Sequence, residues 1–150
     1  MTDAYNDIRA AIESRVAAEM AKSPSYPISY ENVAFTPPNN SPWLQLFVRF
    51  GDNRYATLMA PENGFNSQNG VVSINVFTPV GTGAAANYTI AKRVKALFDR
   101  KSFDNINFDS ATGPASAAVN VLQSGVDAGS SLAAAYFQTQ LTITFEGFVQ

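Results

Sequence analysis

The sequence contains no cysteine and no histidine in 150 residues. Without cysteine there is no disulfide, no thiolate nucleophile, no iron–sulfur cluster and no thiolate zinc site. That absence fits a protein made and used in a reducing cytosol. Without histidine, the commonest near-neutral acid–base group and the commonest metal ligand are both missing. A Ser-His-Asp triad is then impossible within one chain. Charge is also scarce, at 15% of residues against roughly 25% in an average domain. A charge-poor surface is one way to prepare contact with other protein surfaces. The formal net charge is −2 and no basic run is longer than a pair such as Arg100-Lys101. A sequence-independent nucleic-acid binder would show a basic footprint instead. No apolar run approaches the roughly 20 residues of a membrane span. The first residues carry Asp3, Asp7 and Glu13, unlike a signal peptide. A soluble protein with no membrane partner and no cofactor is expected.

What is present suffices for a core. The hydrophobic fraction is 46%, and a chain of this length buries roughly 68–70% of its unfolded surface. We expect a single domain over residues 1–150, since neither an internal repeat nor a dividing linker is visible.

The spacing predicts a helix over residues 3–22, with Ile8, Ile12, Val16 and Met20 on one stripe and Ala11 beside them. Asp3 and Asp7 suit its N-terminal dipole end, Arg9 and Glu13 form a solvated pair, and Pro24 and Pro27 stop it. A brief strand is expected at 28–33, then a turn-rich loop at 36–42. Residues 43–50, WLQLFVRF, alternate cleanly, with Leu44, Leu46, Val48 and Phe50 on one face. Gly51-Asp52-Asn53 reads as a turn, residues 54–60 as a returning strand, and PENGFNSQNG at 61–70 as a mobile polar loop. Residues 71–77 are again a strand. A second helix is expected at 84–100, its stripe formed by Ile90, Ala91, Val94, Leu97 and Phe98, with Lys92, Arg93, Lys95 and Arg100 favoured in its second half by the dipole. Short strands are expected around Ile106 and Phe108 and at 117–122. A long strand at 133–145 carries Ala135, Phe137, Leu141, Ile143 and Phe145 on one face. The fold class is therefore α+β: a largely antiparallel sheet with two amphipathic helices packed on one face. Ile8, Ile12, Val16, Ile90, Val94 and Leu97 should be buried against Val48, Ile74, Val76 and Ile143.

No catalytic motif stands out. Pro79-Val80-Gly81-Thr82-Gly83 between a strand and a helix invites a phosphate-loop reading. The sequence has neither GxxxxGK[ST] nor GxGxxG there, so a tight strand-to-helix turn is expected. Asp99, Asp104 and Asp109 sit in or beside turns, where aspartate bonds local backbone. Nothing pairs them or Glu31, Glu62 and Glu146 into a two-carboxylate hydrolase. A Ser-Lys dyad would need Lys22, Lys92, Lys95 or Lys101, all at positions that read as exposed, where a lysine stays protonated and is a poor general base. Trp43, Phe47, Tyr55 and Phe65 could form a base-stacking platform. They lack interleaved basic residues, and strand aromatics are more often core or interface.

Two signatures carry a resemblance. The first is IRAAIESRV, followed by ISYENVAFTPP and a strand opening at Pro42-Trp43-Leu44. The second is GVVSINVFTPVGTGAAANYTIAKRVKALF. In their order and spacing from Ile8 to Phe98, with 52–69 unmatched, they resemble the tail terminator (tail completion) proteins of long-tailed bacteriophages, close to a phage-related group of unknown function. Residues 101–131 are more polar and longer than in that family. The resemblance implies a ring, usually hexameric, that caps the tail tube, stops its growth and offers its other face to the head. The implied partners are further copies of the chain, the tail tube protein and a head-completion or neck protein. DNA passes through the hole without sequence-specific binding. It implies a place at the tail–neck junction of the virion, after synthesis in the host cytoplasm, and no catalytic residue. The candidate interface is the loop 52–70 with Arg54, Tyr55, Glu62 and Phe65, a mixture suited to protein contacts; a second polar stretch, 113–131, is long enough to reach a neighbour. The alternatives are a neck or head-completion connector, a small carboxylate-based enzyme or ligand-binding domain, and a plain β-rich binding module.

Overall fold

The computed structural model describes residues 4–38, 40–55, 64–81, 83–116 and 136–149. The described elements are α1 (Ala4–Met20), β1 (Ile28–Tyr30), β2 (Trp43–Tyr55), β3 (Asn66–Pro79), α2 (Ala85–Phe98), β4 (Ser102–Phe103), β5 (Ile106–Phe108), β6 (Thr112–Ser116) and β7 (Tyr136–Val149). One sheet runs in the order β1-β2-β3-β7-β5-β4, with β6 on the same edge of β7 as β5. Every pairing is antiparallel except β1 with β2, where Ile28 lies opposite Leu44. The expected α+β architecture is what the chain adopts.

Both helices cover the same face. Ile8, Ile12, Val16 and Met20 of α1, and Ile90, Ala91, Val94 and Phe98 of α2, join Leu44, Leu46, Val48, Val72, Ile74, Val76, Leu141, Ile143 and Phe145 in one buried cluster. Alternation on each central strand puts these residues on one side, as a period of two requires. Leu97 is a correction: it is only partly buried, because it sits at the border of α2 facing a groove beside α1.

Each helix supplies an arginine to the other's carbonyl end. Arg15 of α1 donates from Nε to the Leu97 carbonyl at 2.8 Å. Arg93 of α2 donates to the Glu19 and Pro24 carbonyls at 2.7 and 2.6 Å and to Glu19 Oε1 at 2.9 Å. The Leu97 and Glu19 carbonyls lie in the last turns of their helices, at the negative dipole end, and the Pro24 carbonyl lies just beyond α1. The guanidiniums therefore satisfy them and lock the two helices together. The dipole reading favoured Arg93 in the second half of its own helix; its guanidinium serves the end of the other one. Lys95 corrects a second expectation. It is half-buried and donates to the Gly113 carbonyl at 3.1 Å, rather than lying free in solvent.

The opposite face carries a smaller aromatic cluster. Trp43 stacks on Phe77 at 4.1 Å between ring centroids, Tyr136 meets both edge-on, and Phe35 packs on Trp43. Tyr136 donates its hydroxyl to the Pro38 carbonyl at 2.6 Å, so the connection between β1 and β2 folds over this end of the sheet. Burial raises the Tyr136 phenol pKa above its ordinary value.

The main departure from the sequence reading is the middle of the chain. Gly51-Asp52-Asn53 does not turn. The register shifts there, between Phe50 and Asn53, and β2 runs on to Tyr55. Residues 66–70, expected to be mobile loop, are the first part of β3 and pair with β2 on one side and β7 on the other. Gln68 fastens the bulge, donating to the Gly51 and Asn69 carbonyls at 3.0 and 2.8 Å and accepting from Asn53 Nδ2 at 2.8 Å. Gly70 is required by space: a Cβ there would lie 2.6 Å from the Arg49 carbonyl oxygen and 2.3 Å from the Phe145 ring. The strands expected at 54–60 (beyond Tyr55) and at 117–122 lie outside the described residues.

Candidate assembly surface

Residues 49–55, 66–71 and 144–149 form an arm at one end of the sheet, with β5 paired on the far edge of β7 from Phe145 to Gly147. β1 covers the outer edge of β2 only from Leu44 to Leu46. One step further, the Glu31 carboxylate accepts from the Val48 N–H at 2.6 Å. Beyond that, no strand among the described residues pairs with this edge. A strand edge so placed is open to another chain.

The sequence candidates fall on this arm. Arg54 and Tyr55 are the last residues of β2, opposite Ser67 and Asn66. Both are exposed, Tyr55 at 80%. Phe65 directly precedes β3 and is 47% exposed. Glu62 lies outside the described residues. Arg54, Tyr55 and Phe65 thus come to one end of the molecule, the first two on β2 rather than on the expected loop and Phe65 just before β3.

A groove of about 940 Å³ opens beside the arm. Ser14 and Ala18 of α1 line one wall. Leu97, Phe103, Phe148 and Phe65 contribute apolar surface. The β4–β5 hairpin borders it, turning through Asp104 and Asn105, both with positive φ of 50° and 61°, as a two-residue hairpin loop requires. Arg15 reaches into the groove with its guanidinium 4.2 Å from the Phe103 ring centroid. Sequence reasoning missed Arg15, Phe103 and Phe148. Arg15 lies off the apolar stripe of α1, and only the tertiary placement of Leu97 and Phe103 fixes it.

The other sequence features are structural where described. Trp43 is fully buried and cannot stack on a base. Asp99 accepts from the Ala111 N–H at 2.8 Å and Asp109 from the Thr144 hydroxyl at 2.7 Å. No cluster of three acidic metal-ligating side chains occurs among the described residues. In the strand-to-helix turn, Gly81 and Gly83 have φ of 92° and 82° with open space around each. They serve the turn's backbone conformation, and Val80 between strand and helix is 58% exposed.

A sheet edge that no further described strand covers, exposed aromatic side chains and a groove beside them are features of a protein that works by assembling with others. The family model for the phage tail terminator protein matches residues 7–107, and the chain belongs to that family. Its role is accordingly in phage tail assembly, as a virion component working with other tail or head proteins, in a family of structural proteins. No curated protein matches the chain. A solved structure matches with a TM-score of 0.63 at 20% identity, over 97% of this chain and 96% of that chain; at that identity the likeness is one of fold alone. No helix among the described residues is long and apolar enough to cross a membrane.

Proposed function

We propose that the chain forms a closed ring, hexameric in the family's usual form, that caps the tail tube, ends tube polymerisation and presents its other face to a head-completion or neck protein. DNA passes through the central hole. The observation that carries this reading is the family match over residues 7–107. The geometry supports it: one copy offers an edge of β2 that no strand among the described residues covers beyond β1, with Arg54 and Tyr55 at its end. Contacts between unlike surfaces repeat head to tail, and when the rotation closes they make a ring.

Electron microscopy of phage lacking the gene tests this. Full heads unattached to tails, together with tails of abnormal length, are expected. Tails of normal length without the protein would overturn the terminator role.

A further inference from the structure

We propose that Glu31 is a stopper on the outer edge of β2: its carboxylate holds the Val48 N–H that an added strand would need, and so keeps one copy from pairing backbone to backbone with another. This goes beyond the ring proposed above and does not depend on it.

The main-chain ladder shows what the carboxylate replaces. β1 and β2 run parallel, with Ile28 opposite Leu44 and Tyr30 opposite Leu46. The Leu44 N–H donates outward to the Pro27 carbonyl at 3.0 Å, one residue before its opposite number. Outward donors recur at every second residue of a strand, so Val48 is two donors further along. In an unbroken ladder its N–H would go to the main-chain carbonyl of Glu31 itself. The chain turns there instead: Asn32 has a φ of 54°, and the Val33 N–H closes back on the Tyr30 carbonyl at 3.4 Å. The side chain of the same Glu31 then reaches Val48 and accepts at 2.6 Å. The Val48 donor is thus taken by a side chain, and no strand carbonyl can use it while Glu31 stays in place.

The choice of group fits a stopper. A hydrogen bond to a carboxylate is roughly twice as strong as one to a neutral acceptor. Glu31 is exposed, so its carboxylate keeps water on its remaining lone pairs and escapes most of the cost of burying a charge. A second interruption follows at once, because the register of β2 shifts between Phe50 and Asn53, and a bulge also spoils an edge for pairing. By the same alternation, Val48 and Phe50 are the outward donors between β1 and that shift. Val33, 58% exposed, and Phe47 line one hollow with Glu31 and add apolar surface beside them. Backbone pairing at such an edge accepts any extended segment whatever its sequence. In a solution of this protein, the segment at hand is the edge of another copy. For a chain that assembles through chosen side-chain contacts, that pairing is the wrong one.

Three substitutions separate reach from charge. Glu31→Ala removes the acceptor. Glu31→Asp keeps the charge but is one methylene shorter and falls short of the N–H. Glu31→Gln keeps an acceptor oxygen at full reach without the charge. The full-length chains are compared with the unaltered protein by sedimentation velocity, below the concentration at which the unaltered chain assembles, and Val48 amide exchange is followed by NMR. The Ala and Asp variants should self-associate at least about tenfold more tightly than the unaltered chain, the scale of one charge-assisted hydrogen bond. Their Val48 amide should exchange faster when dilute and be protected again when associated. The Gln variant should match the unaltered chain in both readings. Ala and Asp variants no more associated than the unaltered chain would overturn the proposal. So would an associated variant whose Val48 amide stays unprotected, since the contact would then lie elsewhere. A Gln variant that associates like Ala would make charge, and not the occupied donor, the barrier, and would overturn it too. Should Glu31→Ala unfold, the Asp variant decides alone by the same two readings.

Discussion

Asn87 on α2 and Thr139 on β7 meet side chain to side chain where neither has any exposed surface, the Thr139 hydroxyl donating to Asn87 Oδ1. Asn87 Nδ2 in turn faces the Val76 and Phe137 carbonyls at 3.0 and 3.1 Å and the Thr78 hydroxyl at 3.2 Å. Only one orientation of the amide serves these partners, because two of them are carbonyls that accept and cannot donate. The first turn of α2 is thereby tied to β3 and β7 at once.

The first prediction follows from that bond. Asn87→Ala removes a partner from two carbonyls and two hydroxyls in a dry interior, and each group left unsatisfied costs about 1–3 kcal/mol. Partial relaxation should leave a net loss of about 2–4 kcal/mol. Thr139→Val should cost less, and the double variant should cost less than the sum. Urea denaturation of the four proteins gives the coupling. Strict additivity would show that the two side chains act independently.

Asn87 also shows where the sequence was legible and where it was not. The α2 stripe through Ile90 and Val94 was readable because helical periodicity repeats over four turns. Asn87 lies on that same buried side, but as a polar residue it does not register in an apolar pattern. The central strands were readable where one face is apolar and the other mixed. The arm was not. Gly51, Asp52 and Asn53 have turn chemistry, and a bulge uses the same residue types without reversing the chain. Residues 66–70 are polar, and they are strand because β2 and β7 pair with them on both sides, which no local signal reports. Of the candidate surface, the exposed Arg54, Tyr55 and Phe65 were readable as interface types. The groove was not, since it joins residues as distant as Arg15, Phe65, Phe103 and Phe148.

Truncating the α2 stripe gives a second prediction. Ile90 and Val94 are 3% and 0% exposed within the main cluster. Ile90→Ala and Val94→Ala should each destabilise by roughly 1–4 kcal/mol through lost burial and the cavity left behind, with Ile90 the costlier because it loses more carbon. Thermal and urea unfolding measure this. Unchanged stability in both would mean that α2 does not pack on the sheet through this face.

Acid should weaken the helix pair through Glu19. Hydrogen bonds from Arg93 first, and from Lys22 second, hold its carboxyl below the ordinary value of 4.5. A carboxylate whose folded pKa is depressed contributes stability that is fully present above its unfolded pKa. That contribution is lost as pH falls through the folded pKa. The unaltered protein should therefore lose stability more steeply below about pH 4.5 than Glu19→Gln does. Added salt should shrink the difference, because the pair is near the surface. Parallel stability–pH curves for the two proteins would remove Glu19 from the acid response.

The last prediction concerns Arg54. It ends β2 on an edge that no strand covers among the described residues, and its side chain is exposed. Reversing its charge removes nothing from the core, so Arg54→Glu should fold with unchanged cooperativity and a stability within about 0.5 kcal/mol of the original. If this end of the arm contacts a neighbour or the tube, the same substitution should weaken ring formation or tube capping by about 1–4 kcal/mol, the range for an arginine at an interface centre. A charge at the rim would act differently, changing the rate of association and its salt dependence more than the lifetime of the complex. Comparing dissociation rates with association rates therefore distinguishes centre from rim. Assembly with unaltered rates would mark this end of β2 as free surface. Loss of folding would mean that Arg54 supports the arm itself.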